Sequence, residues 1–443
     1  MWLPLSTLAL IAQTALAASS HIIQLNTQST FGEFSAQGSS INGLNLNTSE
    51  DDTIEIGNFK AVVAEIEDNI LDHLLSLPIV NTIFPNAEIS LFDTPTNALT
   101  HKTPKRSRQV LQKRSESVFD KRDDGVTTQS NAPRHLARLS SRSGIFNESS
   151  LEYNYKETGK GITAYVIDSG ISVTHPDFEG RAKYGVNLAG GSNEPVSKDE
   201  TGHGTNVAGI LGSKTYGVAK DVEIIDVKVF GYGGTTYTKT ILKGIEWANN
   251  DRKNKSSSAV ANLSLGGQKS QALDQAVEAA FDDGLAVIVA AGNANKDAST
   301  YSPASAKNVI TVGALDDRSD TIAIYSNYGP DVDVFASGVA VESLNSQITG
   351  PPTEYYGTSQ ATPVVAGLAA TLLEKGISKD QLKDEIIKLS TKNAISEETF
   401  ENNSDYDNTV NRVANNGVES TDDEIDDPST QEQDEDLREF IGN

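Results

Sequence analysis

Cysteine is absent from the 443-residue sequence. No disulfide bond can therefore compensate for a weak hydrophobic core. Stability must come from that core or from a bound cation. Because 37% of the residues are hydrophobic, the chain has enough apolar material to build a large core.

Long apolar runs are also missing after the first segment, where no stretch approaches the ~18 uninterrupted apolar residues of a membrane span. The first segment, residues 1–18, is apolar and uncharged, and Ala15-Leu16-Ala17 offers a small-x-small cleavage site. We predict that it is a signal peptide, although it has no basic n-region. A short membrane anchor is the alternative, but Pro4 and Gln13 interrupt the run.

Positive charge is scarce, since 36 Lys and Arg stand against 61 Asp and Glu, for a formal net charge of −25. We do not expect so acidic a chain to bind nucleic acid, whose phosphates attract basic surfaces. Residues 397–443 alone include sixteen acidic side chains and two arginines. We predict a disordered tail over residues 396–443, with a specific acidic binding tail as the alternative.

Three short motifs carry a carboxylate, an imidazole and a hydroxyl, each beside glycine or another small residue. They are VIDSG with Asp168, GHGTNVAG with His203 and GTSQATP with Ser359. Taken singly, each has a structural alternative: a turn, a buried histidine, and the N-cap of a helix. Together they supply the groups that activate a serine nucleophile, in which a carboxylate orients the imidazole that takes the hydroxyl proton.

The chain order Asp, His, Ser separates subtilisin from chymotrypsin and from the α/β-hydrolases. On these motifs the sequence resembles the subtilisin family of serine proteases (subtilases), and within it the proteinase K and yeast cerevisin type. The resemblance implies that Ser359 is the nucleophile, that His203 is the general base and then the acid, and that Asp168 orients the imidazole. It also implies an endopeptidase that requires no organic cofactor.

Two further segments fit the family pattern. The run GLAVIVAAGN ends in Asn293, which the resemblance makes the side-chain donor to the oxyanion, with the backbone N–H of Ser359 as the second donor. The segment AVANLSLGG resembles the strand that pairs with an extended substrate, with Ser264, Leu265 and Gly266 beside the primary specificity pocket. The structural alternative for Asn293 is a turn after a strand, and the alternative for AVANLSLGG is an ordinary buried strand.

A structural calcium ion is a further implication of the resemblance, because the family often holds calcium with backbone carbonyls and one carboxylate. Asp333 falls where that carboxylate belongs, and Lys307 and Val309 where the carbonyl donors belong. A calcium site needs several oxygens at ~2.3–2.6 Å. A solvent-facing aspartate is the alternative.

The sequence departs from the family pattern at three positions near the motifs. Gln360 stands where most members have methionine, Asn206 where many have histidine or another residue, and Val207 where the proteinase K and cerevisin branch tends to have cysteine. None of these changes removes a reacting group. A buried glutamine needs a hydrogen-bond partner, so Gln360 could change the start of the helix or the rate.

Short apolar runs alternate with amphipathic helical patterns between residues 155 and 395. The runs include ITAYVI, VEIIDVKVF, AVANLSL, LAVIVAA and NVITVGAL, and the helical patterns include TKTILKGIEWANN and QALDQAVEAAFDDG. This alternation predicts a parallel sheet covered on both faces. Together with the resemblance it predicts an α/β fold, the subtilisin-like three-layer fold with a mostly parallel central sheet, for a catalytic domain at residues 131–395.

Residues 19–100 alternate strand-like and helix-like patterns in a small separate block. The block resembles the family's α+β inhibitory propeptide, which feeds its C-terminal end into the cleft as a slow substrate. A small α+β binding module unrelated to proteolysis is the alternative.

Residues 101–130 form a basic linker with Lys-Arg pairs at 105–106, 113–114 and 121–122. Paired basic residues between a propeptide and an enzyme indicate cleavage by a processing protease. We predict cleavage after the second or the third pair.

These patterns predict a secretory-pathway serine endopeptidase made as an autoinhibited zymogen, with peptide or protein substrates and its own propeptide as partners. Sequons at Asn47, Asn147, Asn254 and Asn402 are compatible with a route to the vacuole, the cell wall or the exterior. The alternative from another class is a noncatalytic subtilase-fold protein that binds peptides or serves in a wall or coat. Gln360 is the one hint toward it.

Overall fold

The computed structural model describes residues 18–38, 41, 44–45, 52–91, 117–145, 151–190, 198–401 and 403–418. Within these ranges the chain forms two compact units, residues 1–86 and 87–443. Several predictions lie outside the described residues: the signal peptide up to residue 17, the first two Lys-Arg pairs, three of the sequons (Asn47, Asn147 and Asn402) and the tail after residue 418.

The first unit is an antiparallel sheet with two helices. Its strands are β1 (Ser19–Leu25), β2 (Leu44–Asn45), β3 (Thr53–Ile56), β4 (Phe59–Ile66) and β5 (Val80–Pro85), and its helices are α1 (Phe31–Gly38) and α2 (Leu71–Leu75). The strands pair in the order β2-β4-β1-β5, with β3 also on β4. Ile23, Val62, Phe34 and Leu74 pack together in its core, so the predicted α+β character is present.

The second unit contains the long sheet and its covering helices. Its strands are β6 (Glu88–Ser90), β7 (Phe119–Lys121), β8 (Thr127–Ser130), β9 (Glu152–Tyr155), β10 (Thr163–Asp168), β11 (Ala182–Asn187), β12 (Glu223–Lys228), β13 (Thr235–Tyr237), β14 (Ala259–Leu263), β15 (Gly267–Gln268), β16 (Ala286–Ala290), β17 (Tyr301–Ser302), β18 (Ile310–Asp316), β19 (Thr321–Ile322), β20 (Val334–Ser337), β21 (Val341–Ser343), β22 (Thr353–Tyr355), β23 (Thr391–Lys392) and β24 (Arg412–Val413). Its helices are α3 (Arg134–Leu139), α4 (His203–Gly212), α5 (Thr238–Lys255), α6 (Gln271–Asp282), α7 (Thr358–Glu374), α8 (Leu382–Leu389) and α9 (Glu397–Glu401).

The central sheet has the order β11-β12-β10-β14-β16-β18-β20-β24, with parallel pairing between neighbours. Strand β23 adds to β24 in the antiparallel direction, and β19 pairs antiparallel with β18. Every residue of β10, β14 and β16 is buried, as expected for parallel strands covered on both faces. The predicted α/β fold with a mostly parallel sheet is confirmed.

Alternate residues of β10 face different helices. Val166 belongs to one core cluster with residues of α4 and α7. On the other face, Ile167 lies close to Gly244 of α5, where a Cβ would come within 3.3 Å of the isoleucine. Trp247, also on α5, meets Tyr165 edge to face at 6.3 Å. The sheet is therefore the middle of three layers.

The C-terminal boundary of the folded unit was predicted too early. We placed the start of a disordered tail at residue 396, whereas α9 and β24 follow that residue. Val413 of β24 is 1% exposed and pairs with Phe335 of β20. A strand of two residues is too short to show a periodic apolar pattern, and it forms because it pairs with the edge of an existing sheet. This is why the sequence did not predict it.

The predicted linker was also too long at its C-terminal end. Strands β7 and β8 form a hairpin within residues 117–130, and β8 pairs with β9. Arg122, the proposed cleavage position after the third Lys-Arg pair, lies in the turn of this hairpin, where its N–H donates to the Val126 carbonyl at 2.8 Å. Within the described ranges, no helix has the length and apolarity needed to cross a membrane.

Candidate active site

Three neighbouring strands bring candidate residues to one edge of the central sheet. Asp168 ends β10, Ser264 directly follows β14, and Asn293 comes three residues after β16. Parallel strands in the order β10-β14-β16 have their carboxyl ends at the same edge. Because Val166 pairs with Asn262, continuing that register by two residues puts Asp168 opposite Ser264.

Asp168 is fully buried and holds the histidine. Its Oδ1 accepts hydrogen bonds from His203 Nδ1 and from the backbone N–H of Ser169, both at 2.7 Å. Nδ1 is therefore the protonated nitrogen, and Nε2 is left to accept a proton. Burial acts to lower the pKa of His203, but the charge and hydrogen bond of Asp168, together with the charge of Asp199, raise that pKa above its ordinary value.

Asp199 fixes the start of α4, and we did not predict this role from the sequence. Its carboxylate accepts from the N–H groups of Gly202 and Thr205 at 2.8 Å each, and from Ser169 Oγ at 2.9 Å. A buried carboxylate at a helix N-terminus compensates the free N–H groups and the positive end of the helix dipole. An acidic residue four positions before His203 was the only signal in the sequence.

Ser359 lies in the first turn of α7, and a proline changes the hydrogen bonding of that turn. Pro363 cannot donate to the carbonyl four residues earlier, which is the carbonyl of Ser359. Ser264 Oγ donates to this carbonyl instead, at 2.8 Å, and itself accepts from Asn262 Nδ2 at 3.0 Å. The segment after β14 therefore holds the serine-bearing turn in place.

Asn293 presents an unpaired amide N–H₂ beside this turn. Its Oδ1 accepts from both the N–H and the Oγ1 of Thr358 at 2.9 Å, which sets the orientation of the amide group. Its Nδ2 is buried and has no hydrogen-bond partner among the described residues. A Cβ on Gly357 would lie 2.9 Å from Nδ2 and 3.5 Å from the backbone N of Ser359. Two donors thus face one small space that glycine leaves open.

Ser359 and His203 are not hydrogen-bonded to each other in this structure. Ser359 Oγ donates to the Ser264 carbonyl at 3.2 Å, and His203 Nε2 is a buried nitrogen for which the described part of the chain supplies no partner. His203 is bound to Asp168 at the end of β10, and Ser359 is bound to Ser264 directly after the neighbouring strand β14.

The predicted substrate strand is occupied by an extended segment of the same unit. Strand β6 pairs antiparallel with β13, and Leu91, directly after β6, forms an antiparallel bridge with Leu265. Leu91 N–H also donates to the Gly234 carbonyl at 2.9 Å. A Cβ on Gly267 would lie 3.9 Å from Ile89, which is an ordinary van der Waals distance, so Ile89 lies beside this segment. Ser264, Leu265 and Gly266 therefore lie beside a bound peptide segment.

The predicted calcium position already holds a cation from the chain itself. Lys383 Nζ lies 2.9 Å from Asp333 Oδ2 and donates to the Lys307 carbonyl at 3.4 Å. Burial raises the pKa of Asp333, and the ammonium of Lys383 opposes this effect. Across the described ranges, no cluster of three or more His, Asp or Glu is placed to hold a metal ion. Asp333 and the Lys307 carbonyl, both predicted for calcium, thus already have the Lys383 ammonium as their partner, and Val309 is buried.

The three departures from the family pattern leave the helices intact. Gln360 is buried in the first turn of α7, and its Oε1 would lie 3.1 Å from a Cβ on Gly357. Asn206 lies in α4, and its Nδ2 donates to the Thr353 carbonyl at 3.4 Å. Val207 is part of the main core cluster.

Asp168, His203 and Ser359 follow one another in the chain order that the sequence analysis associates with the subtilases, and the sheet is mostly parallel and covered by helices. Residues 159–418 match the subtilase family, and the chain belongs to that family. It is 35% identical over 426 residues to the subtilase-type proteinase RRT12 of Saccharomyces cerevisiae, covering 93% of this chain and 84% of the relative. The chain is a subtilisin-like serine endopeptidase.

Two more comparisons support the assignment. Alkaline protease 1 of Aspergillus clavatus is 42% identical over 300 residues, covering 67% of this chain and 70% of the relative. A crystal structure of a cold-adapted subtilisin-like serine proteinase is similar with a TM-score of 0.58 and 37% identity, covering 66% of this chain and 99% of that one. The second similarity bears on the fold as well as on the sequence.

The raised pKa of His203 predicts how activity depends on pH. An imidazole accepts a proton only when neutral, so activity should fall as the pH drops through the pKa of His203, with a midpoint above the ordinary 6.5. Values of kcat/KM for the processed enzyme on a fluorogenic peptide, from about pH 4 to 9, test this. A flat profile, or a midpoint well below the ordinary histidine value, would contradict it.

Proposed function

We propose that this subtilase hydrolyses peptide bonds with Ser359 as nucleophile, His203 as general base and then acid, and Asp168 as the residue that orients the imidazole. Asn293 Nδ2 and the N–H of Ser359 stabilise the oxyanion. The observation that carries the proposal is the buried, unpaired Nδ2 of Asn293, held by Thr358 in the turn of the serine. An unsatisfied buried donor has a cost that a bound oxyanion removes.

The first step transfers the Ser359 hydroxyl proton to His203 Nε2 while Oγ bonds to the carbonyl carbon of the substrate. The carbonyl oxygen becomes negative, and the two donors beside Gly357 lie where it forms. The imidazolium, stabilised by Asp168, then returns its proton to the leaving amine, and the peptide bond breaks. Water repeats the sequence on the acyl-enzyme and releases the second product.

The proposal includes synthesis as an autoinhibited zymogen. The pairing of β6 with β13, and of Leu91 with Leu265, is the pattern expected of an extended substrate that adds a strand to the cleft. This supports the view that residues 88–91 block the cleft until the chain is cleaved further on, at a Lys-Arg pair.

A secretory route is the remaining part of the proposal. The apolar segment at residues 1–18 supports it, as does Asn254 of the sequon Asn-Lys-Ser, which is exposed near the end of α5. Asn262, which also begins a sequon, is fully buried in β14, as expected of an unmodified residue. The route ends in the vacuole, the cell wall or the exterior.

Labelling with a fluorophosphonate probe tests the assignment of the nucleophile. We expect the processed enzyme to be labelled and Ser359→Ala to lose both the label and at least about 10⁴-fold in kcat/KM. Ser319→Ala, which changes an exposed serine in a turn, is the matched control and should behave as the parent does. Labelling that persists in Ser359→Ala would contradict the assignment, and an unlabelled parent would favour the noncatalytic alternative.

Replacing Asn293 tests the oxyanion site separately. Because the amide donor acts mainly in the transition state, Asn293→Ala should lower kcat by about 10²–10³ with little change in KM. The hydroxyl of Ser359 remains, so the variant should still react with the probe, only more slowly. A kcat within a factor of two of the parent, in a variant with an unchanged melting temperature, would exclude the role.

Ile89 offers a test of autoinhibition. A carboxylate at this buried position should weaken the docking of β6, so Ile89→Asp should raise the activity of the unprocessed chain relative to its processed form by about 10-fold. Ser90→Asp introduces the same charge on the exposed neighbour and is the control. Equal ratios in the parent and both variants would be evidence against inhibition by this strand.

A further inference from the structure

Lys383 lies where a divalent cation was expected. Its ammonium is 2.9 Å from Asp333 Oδ2 and 3.4 Å from the Lys307 carbonyl oxygen, and these are two of the predicted calcium ligands. Asp333 is itself held firmly: its Oδ2 accepts from the Thr311 N–H at 2.9 Å, and its own N–H donates to the Thr311 carbonyl at 2.9 Å. The ligands are therefore in place, and the cation between them is an amino group.

The chemistry of this position suits an ammonium ion better than calcium. Calcium takes six to eight oxygen ligands and is doubly charged. The ammonium brings no oxygen, offers three N–H donors to the carboxylate and the carbonyl, and repels a second cation at short range. Lys383 and a calcium ion therefore cannot share Asp333 Oδ2.

The packing of α8 determines the position of Lys383 next to Asp333. Leu382 and Ile386 of α8 are buried in the main core cluster on the same helix. A capping box between Ser378 and Gln381 fixes the turn that leads into α8. The side chain of Lys383 is 32% exposed and that of Asp333 is 14% exposed, so the ion pair is partly shielded from water.

We infer that the Lys383 ammonium is an internal replacement for a structural calcium ion at Asp333 and the Lys307 carbonyl, so that this subtilase needs no calcium at this position for its stability. A cation that is part of the chain has no dissociation equilibrium with free calcium. The unfolding temperature of the enzyme is then independent of the calcium concentration around it. This inference concerns stability and does not depend on the catalytic roles proposed above.

The experiment measures melting temperatures of the full chain carrying Ser359→Ala, which removes the proposed nucleophile and with it self-digestion. In this background, EDTA and calcium at about 10 mM should change the melting temperature by less than about 1 °C. Lys383→Met removes the ammonium and leaves the partly buried carboxylate of Asp333 without this cation. In EDTA its melting temperature should therefore be lower than that of the background protein. Calcium should then raise its melting temperature by about 3–8 °C, the range expected for a site with a Kd of about 0.1–1 mM.

Two further variants make the result specific. Lys383→Met with Asp333→Asn should lose the calcium response, because the carboxylate ligand is gone. Lys388→Met, which removes a surface ion pair with Glu385 on the same helix, should keep the calcium-independent behaviour of the background.

Two outcomes would overturn the inference. The first is a background protein that melts several degrees lower in EDTA and recovers with calcium in an Asp333-dependent way, since calcium would then bind despite the lysine. The second is Lys383→Met that shows no calcium response, since the ammonium would then not occupy a cation site. Because every protein in this experiment carries Ser359→Ala and the readout is the melting temperature, the outcome of the probe-labelling experiment bears only on the catalytic proposal.

Discussion

A carboxylate buried at the end of a central strand is the constraint on which the rest of this structure depends. Asp168 is fully inside the protein, where an ionised group is costly unless it is hydrogen-bonded. Its Oδ1 accepts from the Ser169 N–H and from His203 Nδ1, which fixes the imidazole, while Oδ2 has no hydrogen-bond partner among the described residues. The same hydrogen bond therefore stabilises the buried charge of Asp168 and orients His203 as a base.

Around Ser359, too, hydrogen bonds fix the position of the functional groups, but they involve backbone and neutral side-chain groups and no charge. Pro363 frees the Ser359 carbonyl, and Ser264 Oγ occupies it. Thr358 takes up the oxygen of the Asn293 amide and leaves its N–H₂ unpaired. Hydrogen bonds that would be ordinary helix and turn contacts elsewhere are redirected here, so that donors remain for a substrate.

The sequence predicted those parts of the molecule whose signals are local. Apolar runs of strand length and amphipathic helices gave the parallel sheet and its layers, and small-residue motifs marked the ends of β10 and β16 where side chains collect. The parts it did not predict depend on partners far away in the chain. Strand β24 exists because β20 offers an edge, and Asp199 acts through N–H groups that a helix start exposes.

The calcium prediction also depends on a partner that lies far away in the chain. Asp333 and Lys307 were identified through a family pattern, but Lys383 lies 50 residues after the carboxylate and has no motif of its own. Only the packing of α8 brings its ammonium to that carboxylate. In this structure, two residues that the family pattern assigns to calcium are therefore bound to an ammonium group.

The central claim is that the hydroxyl of Ser359 is the nucleophile, and that Asn293 Nδ2 and the backbone N–H of Ser359 donate to the oxygen that becomes negative. A crystal structure of the fluorophosphonate adduct tests it most directly. The account predicts phosphorus bonded to Ser359 Oγ, with one phosphoryl oxygen about 2.7–3.1 Å from both Asn293 Nδ2 and the backbone N of Ser359. A phosphoryl oxygen that points into solvent, away from both donors, would contradict the account.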